Sequence, residues 1–396
     1  YGVDTSRLRV ISDDNCILCG LCVRMCAERM RVSAITFAGR GVERRVELPF
    51  KEQADICRTC GACAFVCPTG AINLEDISLN KPMPIPSEFD EGLAQRGAIY
   101  VPYPQAIPNV PIIDSNYCVH LQADECGTCE VVCPVGAINY DQQDEDIEID
   151  VGSVIVAPGF KPFDPTIAKG EYGYGRMPNV VTSLEFERIL SASGPFQGAV
   201  LRPSDARHPV KVAWFQCVGS RDETCNREYC SSVCCMYATK QAVIAKEHDA
   251  SIQPTIFYND MRAFGKGFER YYESARDNTG VRYVRGIPSM VKELQQSKNL
   301  LVEYQGEDGN RQQEEFDMVV LSVGLEPSTS SGQLAGALSI NTDKYGFCQV
   351  DELRPNLTSQ SGICVSGAFG APMDIPESVM NASSAAFLAS REITEA

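Results

Sequence analysis

The chain has 396 residues, of which 44% are hydrophobic, enough for two or three domains with apolar cores. Its formal net charge of −17 argues against nucleic acid and anionic membrane surfaces as partners. No apolar run reaches the ~18 residues of a bilayer-spanning helix and no signal peptide opens the sequence, so we expect a cytoplasmic protein. In that compartment, 19 cysteines indicate metal or redox chemistry rather than structural disulfides.

Three cysteine-rich segments come first along the chain. Two have the spacing C-x2-C-x2-C-x3-C, and the third shares the ending Cys-Pro with a longer first gap. Their cysteines are Cys16, Cys19, Cys22 and Cys26, then Cys57, Cys60, Cys63 and Cys67, then Cys118, Cys126, Cys129 and Cys133. Three thiolates two residues apart can wrap one face of a cubane, whereas zinc sites usually consist of two C-x2-C pairs. Twelve cysteines therefore predict three [4Fe–4S] clusters in ferredoxin-like α+β modules.

The spacing does not decide which cysteine completes each cluster, because Cys26, Cys67 and Cys133 could exchange partners. Residues 1–76 resemble the two-cluster region of the large iron–sulfur subunit of NADH dehydrogenases and of iron-only hydrogenases. We predict a two-run cluster domain over residues 1–80. A proline-rich linker over 81–117 and a third cluster motif over 118–145 follow it. The acidic stretch 141–150 is interpreted as a solvated hairpin edge, with a docking patch for a basic partner as the alternative.

After residue 150 the pattern changes to buried strands and helices. Strands are predicted at 151–160, 210–216, 318–325 and 362–368, and helices at 236–248 and 375–390. Strands that alternate with helices indicate a parallel α/β sheet. The predicted segments are residues 146–208, 209–320 and 321–396.

Strands that end in glycine turns, the last before a long helix, resemble the pyridine-nucleotide–disulfide reductase fold. The resemblance implies that 146–208 and 321–396 are parts of an FAD domain, and that 209–320 is a nucleotide-domain-like lobe carrying a cluster. It implies flavin contacts from the backbone and helix start at Gly159, Gly324, Gly367, Ala368, Asp374, Ile375 and Pro376. No Gly-x-Gly-x-x-Gly motif follows a first strand, and the strand 210–216 leads into Cys217 instead of such a loop. Binding of NAD(P) at that loop is therefore not expected.

Five cysteines then crowd one segment: Cys217, Cys225, Cys230, Cys234 and Cys235. Their spacing alone leaves a cluster, a zinc site and reactive or packed thiols open. Residues 87–393 resemble the A subunit of heterodisulfide reductase, a family of flavin-bifurcating proteins. The resemblance rests on the stretches 87–106, 172–176, 182–188, 201–205, 216–222, 229–238, 262–267 and 374–378.

That resemblance implies a fourth [4Fe–4S] cluster beside FAD. Its ligands would follow the spacing C-x12-C-x3-C-C and are Cys217, Cys230, Cys234 and Cys235, which leaves Cys225 as a spare thiol. It also implies that Lys240 and Glu187 lie near the flavin, where a cation stabilises the reduced, anionic ring.

The function expected from this resemblance is that of an electron-transfer subunit, with FAD and four [4Fe–4S] clusters, that splits electron pairs. The implied partners are heterodisulfide-reductase-like B and C subunits, a hydrogenase, formate dehydrogenase or NADH module, and ferredoxin. In the family an amino-terminal FAD lobe precedes these segments. Here three alternatives stay open: a longer chain, incompletely bound flavin, or a site completed by another subunit. The last would leave a flavin-free iron–sulfur adaptor, which is the alternative function.

Overall fold

The computed structural model describes residues 16–30, 33–47, 62–69, 71–72, 85–124, 126–306, 308–351 and 353–395. The predicted ligands Cys57 and Cys60 lie outside these described residues. The chain divides into two compact units, residues 1–146 and residues 147–396. The finer division into six segments stays a prediction.

The first unit consists of short elements. Its described helices are α1 (Leu21–Arg24), which continues as a π-turn over Met25–Arg29, α2 (Ala62–Phe65), α3 (Val119–Ala123) and α4 (Thr128–Val132). Its described strands pair antiparallel: β1 (Thr36–Ala38) with β2 (Arg45–Glu47), β3 (Ile85–Pro86) with β4 (Gln95–Arg96), and β5 (Ile99–Tyr100) with β6 (Ile112–Ile113).

Cysteines are part of the core around the first motif. Cys22 is buried there with Ile35, Val46 and Ile72, and Cys63 packs against the same group. An apolar core of this size stabilises little by itself, so we expect metal ligation to contribute to folding here.

The described part of the proline-rich linker, residues 85–117, contains no helix. Arg96 ties its hairpins together: Nη2 donates to Asp114 Oδ2 at 2.8 Å, and the guanidinium lies 3.7 Å from the ring centroid of Tyr100. Arg96 also pairs with Glu88, and this contact lowers the pKa of the Glu88 carboxyl. Side-chain contacts thus replace the backbone hydrogen bonds that the prolines cannot donate.

A parallel sheet forms the centre of the second unit. Its described strands, in spatial order, are β12 (Arg282–Arg285), β11 (Gln253–Tyr258), β10 (Lys211–Val218), β16 (Met318–Val323) and β9 (Val180–Thr182). Parallel sheets are covered on both faces, which explains the continuous apolar runs in β10 and β16.

Consecutive residues of β10 face opposite sides of this sheet. On one side, Trp214 packs edge-on against Phe186, at 5.2 Å between centroids, and donates Nε1 to Gln241 Oε1 at 3.1 Å. These partners belong to α6 (Ser183–Leu190) and α7 (Cys234–His248). On the other side, Phe215 packs against Phe257 at 5.6 Å. The antiparallel sheet of β13 (Met290–Glu293), β14 (Leu300–Gln305) and β15 (Arg311–Phe316) covers that second side.

The remaining elements form smaller pairs beside this sheet. β7 (Val154–Val156) pairs in parallel with β18 (Ile363–Val365), and β8 (Phe160–Pro162) pairs antiparallel with β17 (Leu325–Pro327). The other helices described are α5 (Pro165–Ala168), α8 (Phe268–Ser274), α9 (Ser331–Leu338) and α10 (Ile375–Glu395). No helix in the described ranges combines the length and the apolar character that crossing a membrane requires.

The fold class predicted from the sequence is confirmed, whereas the pairing of its strands could not be foreseen. The four predicted strands are present but belong to two sheets, since β7 and β18 pair with each other and not with β10 or β16. The hairpin interpretation of 141–150 is wrong: these residues are exposed but carry no strand. Six acidic side chains within this stretch favour hydration over strand pairing.

Candidate cluster and flavin sites

The first cysteine triplet shares a cavity with a cysteine from the second motif. Cys16, Cys19, Cys22 and Cys67 all line it, together with Gly20, Val46 and Ile72. A triplet completed by the Cys-Pro cysteine of the other motif is the arrangement of two-cluster ferredoxins. The structure thus brings Cys67 to the first triplet, a pairing that the spacing left open.

Local backbone geometry prepares this cavity for a cluster. Gly20 begins α1 with φ 72°, and a Cβ there would meet the Phe37 ring at 3.0 Å, so the tight turn requires glycine. Cys67 Sγ accepts the backbone N–H of Ala71 at 3.2 Å. Burial opposes ionisation of Cys67, but hydrogen bonds from Thr69, Ile72 and Ala71 leave the pKa of its thiol lowered. A thiolate is the metal-binding form of cysteine, and the donor set therefore fits a [4Fe–4S] cluster.

Cys26 turns away from this set, onto the π-turn that follows α1. Its Sγ accepts the backbone N–H of Ala34 at 3.2 Å. We propose that Cys26 completes the second cluster with Cys57, Cys60 and Cys63. Of these three, only Cys63 lies within the described residues.

The third motif repeats the hydrogen bond of the second. Cys133 Sγ accepts the N–H of Ala137 at 3.3 Å, four residues on as in Cys67 and Ala71, and amides of Ala137 and Val135 lower the pKa of the Cys133 thiol. The shared sequence Cys-Pro-x-Gly-Ala thus positions an amide on its own cysteine sulfur.

The triplet of the third motif lies beside an aromatic side chain. Burial and then the charges of the neighbouring Cys126 and Cys118 raise the pKa of the Cys129 thiol. The same three cysteines, after burial, raise the pKa of Tyr140, whose ring stacks on His120 at 3.8 Å. The ring of His120 therefore packs against Tyr140.

In the second unit a β-bulge determines the position of Cys217. The register of β10 on β16 shifts between Phe215 and Val218, and Cys217 takes φ 61°. Such a bulge re-aims a side chain and ends regular pairing.

Backbone contacts to β16 and β17 hold the loop that follows. Ser231 Oγ accepts the N–H of Leu325 at 3.0 Å, and the N–H of Ser231 donates to Ser220 Oγ at 2.9 Å. A Cβ on Gly324 would lie 2.7 Å from Ser231 Oγ, so glycine is needed there for the loop to approach.

Four of the five cysteines in this loop interact electrostatically with one another. Burial, followed by the proximity of Cys235, raises the pKa of Cys217 to about 11, which Arg221 partly offsets. Burial also raises the pKa of Cys234, and Cys217, Cys235 and Cys230 add to this increase. The first turn of α7 carries Cys234 and Cys235, where the helix dipole favours negative charge.

Cys225 lies apart from these four thiols. Its neighbours are Thr224, Lys169 and Asp222, and its raised pKa is due first to burial. The four cysteines of the predicted set thus influence one another's pKa, whereas Cys225 has a separate environment, and their ligation of a cluster stays a prediction.

Among the described residues, no three cysteine, histidine or acidic side chains converge closely enough to hold a single metal ion. A cubane distributes its thiolates over four iron atoms, so its ligands stand further apart than those of one ion.

An apolar cleft of about 140 Å³ lies beside the loop. Its walls include Phe160, Leu184, Val233, Tyr237, Val323 and Gly324, and Glu187 contributes a carboxylate. Lys240 Nζ donates to Glu187 Oε1 at 2.5 Å, and Gln241 Nε2 donates to Glu187 Oε2 at 3.1 Å. An apolar cleft with a charged pair beside it suits an aromatic ring with a polar edge, which fits the ring of a flavin.

The other predicted flavin residues lie on the β7–β18 part of this unit. Gly159 and Gly367 have φ 74° and 70°, and the N–H of Gly367 donates to Asn381 Oδ1 at 2.9 Å. Ala368 follows in the same turn. Asp374 caps α10 by accepting the N–H of Glu377 at 2.8 Å, just before Ile375 and Pro376. The flavin contacts of these residues stay predictions.

Several residues of the site escaped sequence reasoning. Tyr237 and Gln241 line the cleft from α7, while Asp260 pairs with Arg221 and its carbonyl accepts from Cys235 Sγ at 3.7 Å. Tyr237 and Gln241 could have been suggested by the sequence, because they share a helix face with Cys234 and Lys240. No sequence signal pointed to Asp260.

The comparisons with known proteins agree with this arrangement. Residues 15–71 match the 4Fe-4S dicluster domain family, and residues 242–386 match the pyridine nucleotide-disulphide oxidoreductase family. The chain is therefore an oxidoreductase that combines ferredoxin-type and flavoprotein domains, with [4Fe–4S] clusters and FAD as cofactors.

Over most of its length the chain is similar to the A subunits of heterodisulfide reductases. The iron–sulfur A subunit of the CoB–CoM heterodisulfide reductase of Methanocaldococcus jannaschii is 44% identical over 339 residues, 84% of this chain and 48% of that protein. The A subunit of the H(2):CoB–CoM heterodisulfide,ferredoxin reductase of Methanothermobacter thermautotrophicus is 41% identical over 337 residues, again 84% and 48%. The chain spans about half the length of these curated relatives.

Among solved structures, T. acidophilum thioredoxin reductase aligns with 61% of this chain and 66% of its own, with a TM-score of 0.41 and 18% identity.

Iron analysis tests the number of clusters. Because four sets of four cysteines each bind four iron atoms, the anaerobically purified chain should contain about 16 iron atoms. A value of about 12 with flavin still bound would show that the Cys217–Cys235 loop holds no cluster.

Titration with NADH tests the loss of the nucleotide loop. Dinucleotides bind where a glycine-rich turn joins a strand to a helix start, and here the bulge at Cys217 and the cysteines of α7 occupy that position. We expect no saturable binding of NADH to the isolated chain. Saturable binding that survives replacement of the cysteines before residue 140 would contradict this.

Proposed function

We propose that this chain conducts electrons between a flavin and its [4Fe–4S] clusters within a heterodisulfide-reductase-like complex, and that the flavin splits electron pairs between two acceptors. The relatives carry names of such reductases, one of which includes ferredoxin. The proposal that electron pairs are split rests on the site described above together with these names.

One observation carries the proposal: the cleft and the cysteine loop share a wall. Tyr237 and Val323 line the cleft, and Tyr237 Oη donates to the carbonyl of Val323 at 2.8 Å. The same carbonyl lies 3.8 Å from Cys234 Sγ. A ring in the cleft and a cluster on Cys234 would therefore be separated by a single residue.

This proximity suits a change from paired to single electrons. Bound FAD supplies two-electron chemistry, whereas each cluster takes one electron at a time. The chain's own residues hold the site: Tyr237 fixes the shared wall, and Lys240 and Glu187 place charge beside the cleft. Cys234 and Cys235 are buried and Cys217 and Cys230 are partly buried, which limits the access of water to a cluster held there.

The partners follow as proposals from the same reasoning. B- and C-type subunits would accept electrons toward the heterodisulfide. A hydrogenase, formate dehydrogenase or NADH module would supply pairs, and ferredoxin would take the low-potential electron. The strongly acidic chain, with net charge −17, favours basic docking surfaces on these partners.

A reconstituted complex with one donor and two acceptors tests the function. If the flavin splits pairs, ferredoxin should be reduced only while the high-potential acceptor is also present. Reduction of ferredoxin at an unchanged rate without that acceptor would contradict splitting and leave simple electron transfer.

Flavin analysis separates the proposal from its alternative. FAD released by acid at about one per chain supports an electron-transferring flavoprotein. Purified chain that retains its iron but holds and rebinds no FAD would instead make it an iron–sulfur adaptor.

A further inference from the structure

Gln216 is a buried polar side chain that has no role in the cleft or among the cluster ligands. It is 3% exposed and immediately precedes Cys217 on β10. Neither its Nε2 nor its Oε1 has a hydrogen-bond partner among the described residues. A buried polar group left unpaired destabilises a fold, so an amide with both atoms unpaired calls for a specific reason.

The bulge places Gln216 beside the cluster ligands. Phe215 pairs with Leu321 and Val218 with Val323, so Gln216 and Cys217 together oppose the single residue Ser322. In a bulge of this kind two neighbouring residues share one level of the sheet. The carboxamide and the Cys217 thiol therefore start from adjacent positions.

A second predicted ligand lies close to this level, on the side of the helix layer. Cys234 Sγ lies 3.8 Å from the carbonyl of Val323, the residue after Ser322. Gln216 follows Trp214 by two residues and so faces the same side of the sheet, the side covered by α7, whose first turn carries Cys234. Gln216 is thus buried beside Cys217 and on the face of the sheet that α7 covers with Cys234.

We propose that the side-chain N–H of Gln216 donates a hydrogen bond to a sulfur atom of the cluster held by Cys217, Cys230, Cys234 and Cys235. Reduction adds negative charge to the cluster, so a donor to its sulfur stabilises the reduced form. Hydrogen bonds of this kind are one of the means by which proteins set cluster potentials. Gln216 then acts as a positioning residue that raises the reduction potential of the cluster nearest the cleft. This inference rests on the proposed function, which requires that cluster.

Gln216→Met in the full chain tests the proposal, because methionine keeps the length of the side chain without an N–H. An EPR-monitored redox titration measures the cluster, identified by the signal that Cys217→Ala removes. Losing one hydrogen bond should lower the equilibrium constant for one-electron reduction of the cluster about tenfold. This corresponds to a fall of about 59 mV in the reduction potential. Gln253→Met, at an exposed position of β11, is the matched control and should cause no shift.

A second variant and a second spectroscopic measurement keep the proposal testable if Gln216→Met loses the cluster. In that case Gln216→Leu takes its place, because leucine also lacks an N–H donor and should lower the potential to a similar extent. Pulsed EPR after exchange into D2O should show a deuterium coupling in the native cluster that Gln216→Met lacks.

The possible outcomes separate this inference from the proposed function. An unchanged cluster potential with full iron content would overturn the role of Gln216 and leave a trapped water as its partner. A shift of the flavin potential alone would also overturn it. Iron of about 12 per native chain would instead remove the cluster itself, and with it the proposed path.

Discussion

Cys235→Ser should interrupt electron flow between the flavin and the other clusters while flavin stays bound. Cys235 is 6% exposed and lies in the first turn of α7. Burial raises the pKa of its thiol, as do Cys230 and Asp260. Mutation of a residue that merely supports a metal ligand typically lowers metal affinity or activity by about 10–100-fold. Removal of a ligand itself should therefore slow electron transfer by more than about tenfold.

Stopped-flow reduction of the other clusters through the flavin measures this effect. Dithionite should still reduce the flavin of the variant directly, which separates loss of the path from loss of the flavin. Cys225→Ser is the matched control, since this thiol belongs to the same loop but its pKa responds to Lys169 and Asp222. It should keep native iron content and rate. Full electron flux in Cys235→Ser would remove this cluster from the path, even with metal present.

The cysteine motifs were readable from the sequence because their ligands are close neighbours along the chain. Three residues of a triplet need only a local turn, and Gly20 with φ 72° provides it. The pairing of Cys67 with Cys16, Cys19 and Cys22 depends on how two distant segments pack, which spacing does not record. The local geometry of each triplet was therefore predictable, but the cysteine from another motif that completes it was not.

The strands show the same limit. Apolar runs indicate burial, so β10 and β16 were found, but burial does not determine which strands pair. The meander β13–β15 went unrecognised, because strands such as β15, Arg311–Phe316, are mostly polar and exposed. One reason for its stability is Glu303, which is 2% exposed and is neutralised by Lys292 and Arg311 across neighbouring strands.

The cleft could be anticipated only in part. Resemblance pointed to Lys240 and Glu187, and the structure joins them in one ion pair. The apolar wall opposite them combines β8, α6 and β16, elements far apart in sequence. Gln216 was invisible for a related reason, because its lack of partners is a property of the folded bulge.

Lys240→Ala should lower the reduction potential of the bound flavin without changing iron content. Lys240 lies 2.5 Å from Glu187, which contributes to the cleft wall. Removing the cation takes away a favourable charge and leaves the carboxylate without its ion-pair partner, and both effects oppose negative charge on reduced flavin. Both side chains are about half exposed, at 45% and 40%, so solvent screens part of the effect. A contribution of about 1 kcal/mol corresponds to roughly 20 mV for a two-electron couple.

The partner substitution should act in the opposite direction. Glu187→Gln removes the negative charge, keeps the length of the side chain and leaves the lysine, so it should raise the flavin potential on the order of tens of millivolts. The double variant should lie between the two single variants. Lys298→Ala serves as control, because Lys298 pairs with Glu293 and neither residue lines the cleft. Spectroscopic titration of the flavin against a reference dye measures the flavin potential of all four variants. If both single variants move the potential in the same direction, charge beside the ring is not the cause, and the assignment of Lys240 and Glu187 to the flavin fails.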